Sequence, residues 1–145
     1  MTIWFDMDGT IADLYAVENW LPMLRNYDPT PYAQAKPLWN MRELASLLQQ
    51  VQARGYKVGV ISWCSKCSTP AYDAQVKLAK TRWLLEQLDG FTFDTIKIVP
   101  YGTDKWFACG CEGVLFDDEL RNRINWGNGL AYEPSRIFSA LSCLL

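Results

Sequence analysis

Ile3, Trp4 and Phe5 form an unbroken apolar run that stops at Asp6-Met7-Asp8-Gly9-Thr10. Such a run suits a strand buried on both faces of a sheet, and Gly9 permits the sharp turn that ends it. The pattern returns at Lys57 to Ser62, at Phe93 to Val99 with its stop at Pro100, at Val114 to Asp117 and at Gly129 to Tyr132. Between these runs the period changes. Met41, Leu44, Leu47, Leu48 and Val51 recur at helical spacing with Gly55 as the stop, predicting a helix over 40–51. Val76, Leu78, Ala79, Trp83, Leu84 and Leu88 form a second apolar stripe, predicting a helix from Ala71 to Leu88 with Gly90 just beyond it. Thr103 or Asp104 caps a short helix carrying Lys105 in its first turn, and Glu119 to Trp126 and Pro134 to about Leu144 supply the last two helices.

Strands alternating with helices predict a parallel sheet covered on both faces, with any ligand at the carboxyl ends of the strands. One stretch departs from the alternation. From Ile11 to Leu21 the pattern suggests at most one amphipathic turn series, after which Pro22, Pro29, Pro31 and Pro37 interrupt helix formation. The same stretch is rich in large rings, with Trp20, Tyr27, Tyr32 and Trp39.

A chain of 145 residues, half of them hydrophobic, is the size of one domain with one core. The formal net charge of −2, with no block of like charge, argues against long nucleic acid as a partner. No apolar run approaches the roughly 20 residues that span a bilayer. The first strand follows the N-terminus directly and leaves no space for a secretory leader, so a cytoplasmic location is expected.

Histidine is absent, which removes Ser-His-Asp and Cys-His nucleophiles and any His-based zinc site together. Acid, base and metal chemistry must then fall to carboxylates, which favour a hard ion such as Mg²⁺. Cys64-x-x-Cys67 and Cys109-x-Cys111 suggest zinc at first sight. The first pair follows a strand and the second precedes one, so a strand of about 17 Å separates them and four sulfurs cannot share one ion. The cysteines are read as ordinary small residues, reduced in a cytosolic setting.

Strand period places Asp6 and Asp8 on the same side of the chain if extended geometry persists, crowding two like charges. A divalent cation can neutralise one, while repulsion and partial burial hold the other protonated near neutral pH, giving a nucleophile beside a general acid. Asp-Gly-Thr is also ordinary turn chemistry. What decides between the two is that further apolar runs end in Ser62, near Lys105 and in Asp117-Asp118.

With these residues in view, Trp4-Phe5-Asp6-Met7-Asp8-Gly9-Thr10 resembles the first motif of the haloacid dehalogenase-like (HAD) phosphohydrolases. Val58-Gly59-Val60-Ile61-Ser62 is similar to the second, Lys105 is the best match to the third with Lys66 as the runner-up, and Val114-Leu115-Phe116-Asp117-Asp118-Glu119 is similar to the fourth. The resemblance spans roughly residues 2–120. It implies an α/β, Rossmannoid three-layer fold: a single domain over 1–145, a five-stranded parallel sheet in the order 5-4-1-2-3, and a small cap inserted at about 11–39.

It also implies roles. Asp6 would be the nucleophile forming an aspartyl-phosphate, Asp8 the acid and base, and Lys105 the counter-charge. Ser62, Lys105 and Thr10 would bind the phosphoryl group, with Thr10 also tying down the loop after Gly9. Mg²⁺ would be held by Asp6, the carbonyl of Asp8, and Asp117 or Asp118, the second of which joins through water or orients Lys105. Trp20, Tyr27, Tyr32 and Trp39, with Trp63 at the rim, form a candidate substrate cap.

The reading favoured is a Mg²⁺-dependent phosphatase of a small phosphorylated metabolite, with a nucleoside monophosphate (a 5′-nucleotidase-like activity) suggested by the aromatic cap. Two competitors stand beside it. A nucleic-acid end phosphatase would want a basic groove, and a non-catalytic phosphoryl-accepting module would not need the second acid at the end of the first strand. The sequence leaves the oligomeric state open.

Overall fold

The computed structural model describes residues 1–145. Five strands form one parallel sheet: β1 (Thr2–Phe5), β4 (Lys57–Trp63), β5 (Thr95–Val99), β6 (Val114–Phe116) and β7 (Ala131–Tyr132), in the spatial order β5-β4-β1-β6-β7. Two further strands of two residues each, β2 (Ala12–Asp13) and β3 (Lys36–Pro37), pair antiparallel outside it. They intervene in the chain, so the expected order 5-4-1-2-3 does not stand as numbered; the strand runs that lie side by side are 131–132, 114–116, 2–5, 57–63 and 95–99.

β1 is central, with Trp4 opposite Gly59 on one neighbour and Leu115 on the other. Its alternation serves two cores. Ile3 and Phe5 face a cluster with Leu44, Leu48 and Val51 of helix α3 (Met41–Ala53) and Ile137 and Leu141 of helix α7 (Ile137–Ser142), whereas Trp4 packs with Ile61, Leu115, Cys109 and Trp126. Gly59 is needed for this packing: a Cβ there would stand 2.5 Å from a carbon of the Trp4 ring. Burial on both faces is why these strands read as unbroken apolar runs.

The helices agree with their periodicity to within two or three residues. Asn40 caps α3 by accepting from the N–H groups of Arg42 and Glu43, and Thr69 caps helix α4 (Pro70–Gln87) by accepting from that of Tyr72. The face of α4 differs from expectation. Leu78 is exposed, and the buried positions are Tyr72, Val76, Lys80, Trp83 and Leu84. The final segment begins as a 3₁₀ turn at Pro134–Arg136 before becoming α7.

Residues 11–39 are more ordered than their prolines suggested. Pro22 sits in the first turn of α1 (Trp20–Arg25) and Pro31 in that of α2 (Thr30–Gln34), where a missing N–H removes no helical bond. β2 and β3 close the base of this insertion, and its roof joins the body through Leu14 and Tyr32, which pack on Cys64, Tyr72 and Val76. No helix is long and apolar enough to cross a membrane.

Candidate active site

The turn after β1 is built on one carbonyl. Met7 O accepts from the N–H groups of Thr10, Ile11 and Ala12 at 2.9–3.0 Å, and Gly9 completes the reversal at φ +79°. This turn brings Asp6 and Asp8 to the edge where β4 ends in Ser62-Trp63 and Asp117-Asp118 follow β6. The carbonyl of Asp8 accepts no hydrogen bond from the protein.

Asp117 is fully buried and densely held. Its Oδ1 accepts from the Glu119 N–H at 2.9 Å, and its Oδ2 from Lys105 Nζ at 2.7 Å and Asn122 Nδ2 at 3.0 Å. Arg123 fixes the backbone of the pair by donating to the carbonyls of Asp117 and Asp118, both at 2.9 Å. Asp118 is less engaged: the Thr10 hydroxyl stands 3.4 Å from its Oδ1, and its carboxyl also meets that of Asp6. The residue that orients Lys105 is therefore Asp117, not Asp118.

Lys105 opens helix α5 (Lys105–Ala108), which Asp104 caps by accepting from the Phe107 N–H. Its ammonium lies 2.9 Å from Asp6 Oδ1 as well as 2.7 Å from Asp117 Oδ2, leaving one of three N–H bonds uncommitted. Burial alone would lower this ammonium, but the two carboxylates outweigh it and hold Lys105 above its ordinary value. Lys66, the other candidate, is exposed at the cavity mouth, and Lys97 donates to the Ala108 carbonyl at 2.7 Å.

One oxygen from each of Asp6, Asp117 and Asp118 lies within 4.8 Å of the others. Burial, reinforced by the charge of Asp6, pushes Asp118 up to about 8 and Asp117 up to about 6. Buried carboxylates that resist ionisation, an unengaged carbonyl at Asp8 and an all-oxygen donor set fit a hard divalent cation. All five cysteines are free thiols.

Asp8 has a partner that sequence reasoning missed. Lys80 Nζ, with no solvent exposure, donates to Asp8 Oδ2 at 2.8 Å, to Ser62 Oγ at 2.7 Å and to the Trp63 carbonyl at 2.8 Å. Burial lifts Asp8 above the usual carboxylate range against the opposing pull of Lys80. Ser62 is itself fully buried behind the cavity wall, whereas Ser65 reaches the cavity and bonds Tyr32. A signal for Lys80 did exist: it follows Val76 by four and precedes Trp83 and Leu84 by three and four, the spacing of an inward face.

Over this edge lies a cavity of about 450 Å³ that reaches Asp6, Asp8 and Lys105. Trp20, Tyr32 and Trp63 line it as expected, joined by Tyr15, Arg25 and Tyr101. Two expected members do not. Tyr27 turns outward against the edge of Tyr72, and Trp39 donates its indole N–H to the Thr10 carbonyl at 2.7 Å while packing on Phe138. Both rings secure the insertion to the body. Trp63 is fixed by its indole bond to the Thr103 carbonyl and by Tyr101 edge-on at 5.0 Å, and Thr10 accepts from the Asp118 N–H.

A similar fold occurs in a solved structure. The crystal structure of a D,D-heptose 1,7-bisphosphate phosphatase from Burkholderia thailandensis superposes with a TM-score of 0.53 over 89% of this chain and 74% of that one, at 16% identity. The likeness is one of fold. No family model and no curated protein sequence matches the chain. The α/β class with a parallel five-stranded sheet, expected from the sequence, is the class this comparison supports.

Proposed function

We propose that this protein is a Mg²⁺-dependent phosphatase of small phosphomonoesters that works through an aspartyl-phosphate on Asp6. The observation that carries the reading is the convergence of Asp6, Asp8, Lys105, Asp117 and Asp118 at one sheet edge, with Lys105 lining the cavity beneath the Trp63 ring and bonded to only two acceptors. A neighbour in fold that is itself a phosphatase adds support.

An oxygen of Asp6 attacks phosphorus as the phosphorus–oxygen bond to the leaving group breaks, and the proton of Asp8 passes to the departing oxygen. Asp8, now ionised, takes a proton from water, whose oxygen attacks phosphorus and releases Asp6. Lys105 neutralises charge on the phosphoryl oxygens and fixes Asp6. Mg²⁺, held by Asp6, the Asp8 carbonyl, and Asp117 or Asp118, supplies further charge neutralisation when bound.

The cavity favours a small substrate with a flat apolar part. Its rings and the leucines at 14, 21 and 24 suit a nucleobase, and the formal net charge of −2, with no block of like charge, does not favour a nucleic-acid end. Phosphate release from a metabolite panel, with and without Mg²⁺, tests the reading, and acid-quench trapping should find phosphate on wild type but not on Asp6→Asn. Turnover that survives complete removal of divalent ions would sink it.

A further inference from the structure

Lys80 is an expensive residue in an unusual place. Its side chain has no solvent exposure and lies on the inward face of α4 between Val76 and Trp83. An ammonium is retained there only if every donor finds an acceptor, and all three do: Asp8 Oδ2, Ser62 Oγ and the Trp63 carbonyl, at 2.7–2.8 Å. The Tyr32 ring covers it, with its centroid 4.7 Å from Nζ, and the Tyr32 hydroxyl is held by Ser65 Oγ at 2.6 Å. One cation thus joins the end of β1, the end of β4 and the insertion.

This bonding separates the two buried lysines by task. Lys105 keeps one N–H for a ligand, whereas Lys80 keeps none and does not line the cavity. Asp8 reaches the cavity, and its Oδ1 makes no hydrogen bond to the protein. We propose that Lys80 is a positioning residue for the acid–base step: it grips Asp8 by Oδ2 so that Oδ1 is held toward the leaving-group oxygen. This rests on the phosphatase reading above.

A purely structural ion pair would support folding and affect all substrates alike; a positioning role depends on the leaving group. A general acid contributes about 10²–10⁴-fold when the departing oxygen needs a proton and little when it leaves as a stable phenolate. The test is therefore kcat/KM of Lys80→Met, which covers only steps through transfer to Asp6, on ribose 5-phosphate and on p-nitrophenyl phosphate. The expected result is a loss of about 100-fold on the sugar phosphate and less than about fivefold on the aryl ester. On the aryl ester a burst of nitrophenolate should also appear, because Asp8 is then ill placed as base for the second step.

In an Asp8→Asn background, Lys80→Met should change kcat/KM on ribose 5-phosphate by less than about threefold, since its effect runs through Asp8. Equal losses on both esters, or effects that multiply in the double variant, would overturn the proposal. Near-UV circular dichroism checks the fold. If Lys80→Met does not fold, Lys80→Arg takes its place: a planar guanidinium cannot reproduce the three-way contact, and the same asymmetry between esters is required of it. The phosphatase reading is judged separately: if wild type with a divalent ion releases phosphate from no member of the metabolite panel, that reading fails and this proposal with it.

Discussion

The carboxylate of Asp118 occupies the space where a side chain on Gly9 would begin. Gly9 also stands at φ +79°, a left-handed conformation that costs an L-residue about 1–2 kcal/mol. The turn after β1 and the acid after β6 therefore share one volume. Gly9→Ala should lower the midpoint of thermal unfolding and displace Asp118, weakening Mg²⁺ binding by about tenfold or more, as loss of a supporting contact at a metal site does. Titration calorimetry measures this, and unchanged affinity would count against Asp118 as part of the metal site.

Lys105→Ala should cost about 2–4 kcal/mol of transition-state stabilisation, the range for losing one preorganised electrostatic partner. Lys66→Ala, altering an exposed side chain, should change kcat/KM only slightly. The reverse ranking would move the counter-charge to the rim of the cavity.

Metal-free protein should lose stability as pH rises from about 4 to about 8. The unfolded chain releases the protons of Asp117 and Asp118 near the ordinary value of 3.8, whereas the native state holds them to about 6 and about 8. Across that window the native state binds more protons, so unfolding becomes easier with pH. Mg²⁺ should reverse the trend, since it competes with those protons, and its stabilising effect should be larger at pH 8 than at pH 5. Thermal unfolding at the two pH values, with and without Mg²⁺, reads both effects; a stabilisation by Mg²⁺ that is the same at both would refute the linkage.

How far the sequence could be read depended on whether a residue's setting was local. Asp6, Asp8, Asp117 and Asp118 were legible because a buried parallel strand is an apolar run, and a charge at its end marks the sheet edge. Lys105 was legible from its place at a helix start. Lys80 shares the helical spacing of Val76, Trp83 and Leu84, but lysine on a helix is read as solvated, and its burial shows how far that face of α4 lies inside the fold. Tyr27 and Trp39 were placed in the cavity on ring count alone; where they point depends on Tyr27 at φ +56° and on the Thr10 carbonyl. β2 and β3 depend on pairing Ala12 with Pro37 and Asp13 with Lys36 across the intervening helices, which no local pattern carries.

Trp20 stands in the cavity wall with Tyr15 edge-on at 5.1 Å. If a base lies on this wall, wild type should prefer a nucleoside monophosphate over ribose 5-phosphate by roughly tenfold or more in kcat/KM, because stacking is worth about 1–3 kcal/mol per base. Trp20→Ala should erase most of that preference and leave ribose 5-phosphate turnover nearly unchanged. Equal use of the two esters by wild type would remove the nucleotide preference and leave the phosphatase proposal in place.

The insertion is anchored along α4 as well as at its base. Tyr72 donates to the Asp28 carbonyl at 2.9 Å, Trp83 to the Ala35 carbonyl at 2.6 Å, and Lys80 lies under Tyr32. A roof bonded to a long core helix has no free hinge, so admission of substrate falls to side chains at the mouth, and product departure need not wait for a slow domain motion. The insertion and α4 should then exchange their amide hydrogens as one cooperative unit. Mass-resolved exchange showing residues 20–35 opening far more readily than 70–87 would instead reveal a moving lid.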